Sequence, residues 1–177
     1  GNVGDYAFEW CTGIKTAEIT NNGEIGMSAY YGCDSLESVL ISNAGDIEQQ
    51  AFRCCYSLQT AMITNKGDIG LSSFSDCTSL TSVTIGDEVD RLGITAFSGC
   101  SLLAEITIPH SVLYAGSECF SGCNSLERAT IGDGLYSISE AMFKDCSSLQ
   151  EVNIGNKVTE IKTNAFSGCS KLQSIQW

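Results

Sequence analysis

Ser125-Leu126-Glu127-Arg128-Ala129-Thr130-Ile131, then Gly132-Asp133-Gly134, then Ala141-Met142-Phe143-Lys144-Asp145-Cys146, is one copy of a unit that fills the chain. The first segment ends in strict alternation, so Leu126, Ala129 and Ile131 point inward and Glu127, Arg128 and Thr130 outward, as in a strand with one buried face. Gly132-Asp133-Gly134 is turn chemistry, because Gly and Asp tolerate the backbone angles that end a strand. Leu135 and Ile138 make a second, shorter buried stretch. Met142, Phe143 and Cys146 fit one tight helical or 3₁₀ turn that buries Phe and Cys together.

Moving outward from this copy, the same pattern recurs on a fixed clock. Cys11, Cys33, Cys55, Cys77, Cys100, Cys123, Cys146 and Cys169 are 22, 22, 22, 23, 23, 23 and 23 residues apart. An aromatic precedes each by three: Phe8, Tyr30, Phe52, Phe74, Phe97, Phe120, Phe143 and Phe166. Ile14 and then Leu36, Leu58, Leu80, Leu103, Leu126, Leu149 and Leu172 follow by three. Self-similarity at such a period means a solenoid, in which each unit buries its apolar face only by stacking on its neighbours. The spacing changes after Cys77, where the connecting segments gain a residue and an apolar position (Val89, Val112, Leu135, Val158). A change of curvature or twist is expected there, not a domain boundary.

The motif C-x-x-L-x-x-V/I-x-I followed by A-F-x-G-C resembles the BspA-like class of leucine-rich repeats. Ala165-Phe166-Ser167-Gly168-Cys169 and Cys169-Ser170-Lys171-Leu172-Gln173-Ser174-Ile175 carry it most closely, and the resemblance spans the chain. It implies a leucine-rich repeat solenoid, a right-handed superhelix with a parallel strand sheet on one face and short extended and 3₁₀ or helical turns on the other. It also implies a secreted or cell-surface protein, often adhesive, that binds host or matrix proteins. It carries no fixed set of binding residues. The expectation is a single domain over residues 1–177 with about eight repeats. The chain opens inside a repeat and stops on a strand at Trp177, which reads as a piece of a longer protein.

Composition narrows the function. Nine basic and 21 acidic residues give a net charge of −12, and no Lys/Arg cluster occurs. Nucleic acid and anionic membrane are poor partners for such a chain. No apolar stretch is long enough for a transmembrane segment. Ten cysteines suggest disulfides, but stacked rungs lie about 4.8 Å apart with equivalent side chains pointing the same way. A disulfide needs Cβ atoms about 3.5–4.5 Å apart and turned towards each other. The eight periodic cysteines are therefore expected as a buried ladder of free thiols, while Cys54 and Cys119, off the clock, could pair or stay free.

No catalytic constellation, metal site or cofactor site emerges. His110, the one histidine, falls in a turn column with Asn21, Asn43, Asn65, Asp87, Asp133 and Asn156 and lacks a nucleophile partner. That column, with a second one of Glu24, Asp46 and Asp68, could share calcium, although Asn and Asp are also favoured in turns for their hydrogen bonds to backbone. The strand exteriors remain. Leu40 and Met62 are the outward positions where large apolar side chains replace polar ones on adjacent rungs, and Glu18, Glu37, Ser38 and Thr60 flank them. The expectation is a non-enzymatic, adhesin-like module whose protein ligand lies on the strand face around these six residues. The alternative is a structural spacer that presents another domain.

Overall fold

The computed structural model describes residues 1–20, 22–42 and 44–177. Asn21 and Asn43 of the turn column lie outside the described residues. Twelve strands follow one another: β1 (Thr16–Ile19), β2 (Ser38–Ile41), β3 (Thr60–Ile63), β4 (Ser82–Ile85), β5 (Arg91–Leu92), β6 (Glu105–Ile108), β7 (Tyr114–Ala115), β8 (Arg128–Ile131), β9 (Ser137–Ile138), β10 (Glu151–Asn153), β11 (Glu160–Ile161) and β12 (Ser174–Gln176). The longer ones come once per unit and pair in parallel, in a register that matches equivalent positions, such as Leu40 with Met62 and Glu105 with Arg128. The alternation sets the faces as expected: Leu126, Ala129 and Ile131 are buried, and Glu127, Arg128 and Thr130 are exposed.

One contiguous core runs through the stack and holds the aromatic, cysteine, leucine and isoleucine columns. The aromatics form a continuous pile from Phe8 to Phe166. Successive ring centroids are 4.9 Å (Phe8–Tyr30) to 5.6 Å (Phe120–Phe143) apart, a separation that favours attractive ring pairs. All ten cysteines are free, and the eight on the clock form a ladder that is buried from Cys33 to Cys146, while its ends, Cys11 and Cys169, are only half-buried because each lacks a full rung beyond it. Each ladder thiol from Cys33 onward donates to the backbone carbonyl of the aromatic in the preceding rung. Cys55 Sγ lies 3.2 Å from Tyr30 O, Cys100 Sγ 3.3 Å from Phe74 O and Cys146 Sγ 3.2 Å from Phe120 O. Burial holds these thiols protonated, pushing Cys33 and Cys169 up to about 11, and only a protonated thiol can donate. Cys119 takes the small-residue column just before the aromatic and is fully buried.

The turn between strands departs from expectation. No helix forms among the described residues. Residues with positive φ recur in pairs four apart instead: Ser28 and Gly32, Gln50 and Cys54, Thr95 and Gly99, Ala141 and Asp145. Left-handed residues at that interval interrupt an α-helix and leave a run of tight turns. Alternate amides then close bonds within the turn (Tyr31 N–H to Ser28 O, Cys33 N–H to Tyr30 O) or reach the next rung (Ser28 N–H to Gln49 O, Tyr30 N–H to Ala51 O, Gly32 N–H to Arg53 O). The same three inter-rung bonds recur as far as Ala141, Phe143 and Asp145, which reach Thr163, Ala165 and Ser167. This turn wall is a hydrogen-bonded ladder in its own right.

The strand face is less continuous than the turn wall. Its strands form two four-stranded sheets, β1-β2-β3-β4 and β6-β8-β10-β12, with no ladder joining β4 to β6. The chemistry of the seam is legible in one residue. At the strand exit, Ser42, Thr64, Gly86 and Gly132 each donate their N–H to an isoleucine carbonyl one rung back, Ile19, Ile41, Ile63 and Ile108. At the equivalent position between β4 and β6 stands Pro109, the only proline of the chain, which has no N–H to give. The seam coincides with the change from 22- to 23-residue spacing. On the opposite face the short strands also divide, β5 with β7 and β9 with β11.

Candidate functional site

Strand pleating puts Leu40 and Met62 side by side on the outer face of β2 and β3. Met62 is half exposed and Leu40 half buried. Together with Thr16, Glu18, Ser38 and Thr60 they line a shallow depression of about 370 Å³ floored by Ala17 and Val39. The structure therefore gathers five of the six expected residues. Glu37 sits at the rim, just before β2, with its carboxylate 4.0 Å from Lys15 Nζ. The centre is apolar, and the edge carries three hydroxyls and the Glu18 carboxylate.

Two further depressions went unnoticed in the sequence. One, of about 570 Å³, opens on the seam and is lined by Thr84, Ile85, Glu105, Thr107 and Arg128 among others, with Arg128 Nη2 3.0 Å from Glu105 Oε2. Pro109 and the change of spacing were its signals. The other, of about 520 Å³, lies at the start of the chain between Asp5, Glu24, Met27 and Glu48. Desolvation, and then the carboxylates of Asp46, Glu24 and Asp5, raise the Glu48 carboxyl above its ordinary range.

The turn columns serve the backbone. Asp46 Oδ1 accepts the Asp68 N–H at 2.7 Å, Asp133 Oδ1 accepts the Asn156 N–H at 2.7 Å, and His110 Nδ1 accepts the Asp133 N–H at 3.0 Å. Each side chain caps the rung that follows. Among the described residues no group of three or more His, Cys, Asp or Glu is placed to hold a metal ion. Among the described residues no helix is long and apolar enough to cross a membrane.

The family model for the BspA type leucine rich repeat region matches residues 1–100 and 67–177, in six copies. The chain belongs to the BspA-type leucine-rich repeat family. Solved leucine-rich repeat proteins share its fold. The T. pallidum leucine-rich repeat protein superimposes with a TM-score of 0.69 at 23% identity, over 97% of this chain and 71% of that one. A leucine-rich repeat protein of Eubacterium ventriosum gives 0.64 at 21%, over 98% and 57%. The pneumococcal vaccine antigen PcpA gives 0.55 at 17%, over 86% and 46%. No curated protein matches. As a BspA-type repeat the chain has a protein-binding or scaffolding role to fill, and the leucine column that names the repeat is wholly buried from Leu36 to Leu149.

Proposed function

We propose that this BspA-type domain is a non-enzymatic, adhesin-like binding module of a secreted or cell-surface protein, a host or extracellular matrix protein being its ligand. Residues 1–177 act as one domain in this reading, since one core runs through every rung. The observation that carries the proposal is the Leu40–Met62 pair, the apolar centre of a polar strand face. Interfaces characteristically set an apolar core inside a polar rim, and Glu18, Ser38, Thr60 and Glu37 supply that rim. The secreted or cell-surface setting is what the BspA-like character of the repeats implies.

The test is binding to a panel of immobilised matrix and plasma proteins, repeated with the Leu40→Glu/Met62→Glu double variant. A few residues carry most binding energy, so the double variant should lose most of the signal while keeping its melting temperature. Binding that survives the double change moves the site off β2 and β3. The second reading, a stiff spacer, is favoured by the unbroken turn wall. Absence of binding to every panel member would favour it.

A further inference from the structure

Gly86 N–H reaches back to Ile63 O. In a parallel strand alternate residues turn their backbone groups to opposite neighbours, so the N–H and C=O of Val83 and Ile85 face β6. Gly132 N–H likewise reaches back to Ile108 O, so the N–H and C=O of Glu105 and Thr107 face β4. Yet no ladder joins these two edges. Among the described residues no backbone bond crosses from 81–86 to 104–109. Two side-chain bonds cross the same step, Ser101 Oγ to Thr78 O at 3.1 Å and Ser111 Oγ to Val89 O at 2.7 Å. Both lie outside the strands. They close the ends of a slot four residues long, the length of β4 and of β6.

The slot is open from the strand face. The depression of about 570 Å³ reaches into it, with Val83, Ile85 and Ala104 in its lining. Val83, turned inward by the alternation, is only half-buried, whereas Val39, Ala61 and Ile106 in the same column are at most 3% exposed. The other sides of the same step are stitched. β5 pairs with β7, and the bonds from Phe97 N–H to Cys119 O and from Gly99 N–H to Ser121 O carry the turn wall across. Backbone N–H and C=O groups set into such a slot need partners. The ligand that offers donors and acceptors in alternation, at strand spacing and on both of its edges, is another extended chain.

We infer that the slot between β4 and β6 is a second binding site, and that its occupant is an extended segment of another protein, seated as a strand bonded to both edges. Its side chains alternate as its neighbours do, apolar ones inward beside Val83 and Ile106, polar ones outward beside Thr84, Glu105 and Arg128. Seating it sets β4 and β6 about 9.6 Å apart, twice the spacing of paired strands. The stitched turn wall is the line about which the strand face widens. Pro109 keeps the slot from closing, because it lacks the N–H that would reach Ile85 O.

Fluorescence anisotropy of a labelled peptide with the sequence Glu127–Gly132, itself a rung strand of this chain, tests this. It should bind, and hydrogen exchange should then slow at the amides of Val83, Ile85, Glu105 and Thr107. The same peptide N-methylated at Ala129 and Ile131 should bind about tenfold more weakly, as loss of two backbone hydrogen bonds implies. Pro109→Gly, which restores the strand-exit donor found at Gly86 and Gly132, should weaken the unmodified peptide by a similar factor. Leu40→Ser/Met62→Ser should leave it unchanged, which separates this slot from the Leu40–Met62 site. No binding, equal binding by the methylated peptide, or binding unchanged in Pro109→Gly would overturn the inference. So would sedimentation showing the chain alone as a dimer that the peptide dissolves, which would make the occupant a second copy.

Discussion

Replacing Phe120 by alanine probes the aromatic pile at one of its fully buried rings. The ring is fully buried and lies between Phe97, 5.5 Å away and 3° from parallel, and Phe143, 5.6 Å away and 9° from parallel. Truncating a buried phenylalanine costs about 3–5 kcal/mol through lost transfer energy and the cavity left behind. Two ring pairs go with it, each contributing about 0.5–1.5 kcal/mol beyond burial. The rungs above and below are tied by turn-wall bonds (Phe97 N–H to Cys119 O, Phe120 N–H to Met142 O) and cannot close over the gap. The loss should therefore reach the top of that range, about 4–5 kcal/mol. Thr130→Ala, on the exposed face of β8, should cost no more than about 0.5 kcal/mol. Urea unfolding followed by circular dichroism measures both, with the slope checked because repeat arrays can lose cooperativity. Comparable losses at the two sites, or less than about 1.5 kcal/mol at Phe120, would refute the assignment of inner and outer faces.

Two predictions concern the thiols and the seam. Burial raises Cys33 and Cys169 to about 11 and Cys119 to about 12 from an ordinary 9.0; above pH 9 the unfolded chain then binds fewer protons than the folded one, so stability is full below pH 9 and falls as pH rises towards 11–12. Melting temperatures from pH 7 to 11 should show that decline, and Cys119→Ala should make it shallower by one thiol's share, the ladder thiols keeping the rest, with little loss at pH 7, because alanine fills the same column at Ala96; a decline unchanged in the variant would count against the thiol. At the seam, amides of residues 104–108 should exchange with deuterium faster than those of 127–131, their equivalents inside the second sheet, and equal protection would mean that β4 and β6 are bonded in solution.

The strand phase, the buried columns and the free thiol ladder were legible because a period-2 pattern repeated in register admits one inward face. The helical turn misread a correct observation. Phe143 and Cys146 are buried together, as their spacing suggested, but a turn wall with left-handed residues at Ala141 and Asp145 buries them equally well. Gly32, Gly99, Gly122 and Gly168, each directly before a ladder cysteine, were the available signal, since glycine populates positive φ at little cost. Ser28 and Gln50 gave none. The Leu40–Met62 neighbourhood could be placed from column spacing alone. The depth of the depression, Glu37's turn towards Lys15 and the opening beside Arg128 depend on how far successive rungs separate, which no single repeat records.

The seam at Pro109 works as an expansion joint. Units of 22 and 23 residues do not match in length, and if every face were tightly stitched the misfit would have to be absorbed by the packed core. Here the strand ladder is interrupted at the first longer unit, while the turn wall, whose bonds reach only from one rung to the next, runs past it unchanged. Blocks of unlike repeat length can thus be spliced into one array at the cost of a single strand-to-strand step. Proline at the strand exit marks where such a splice is tolerated.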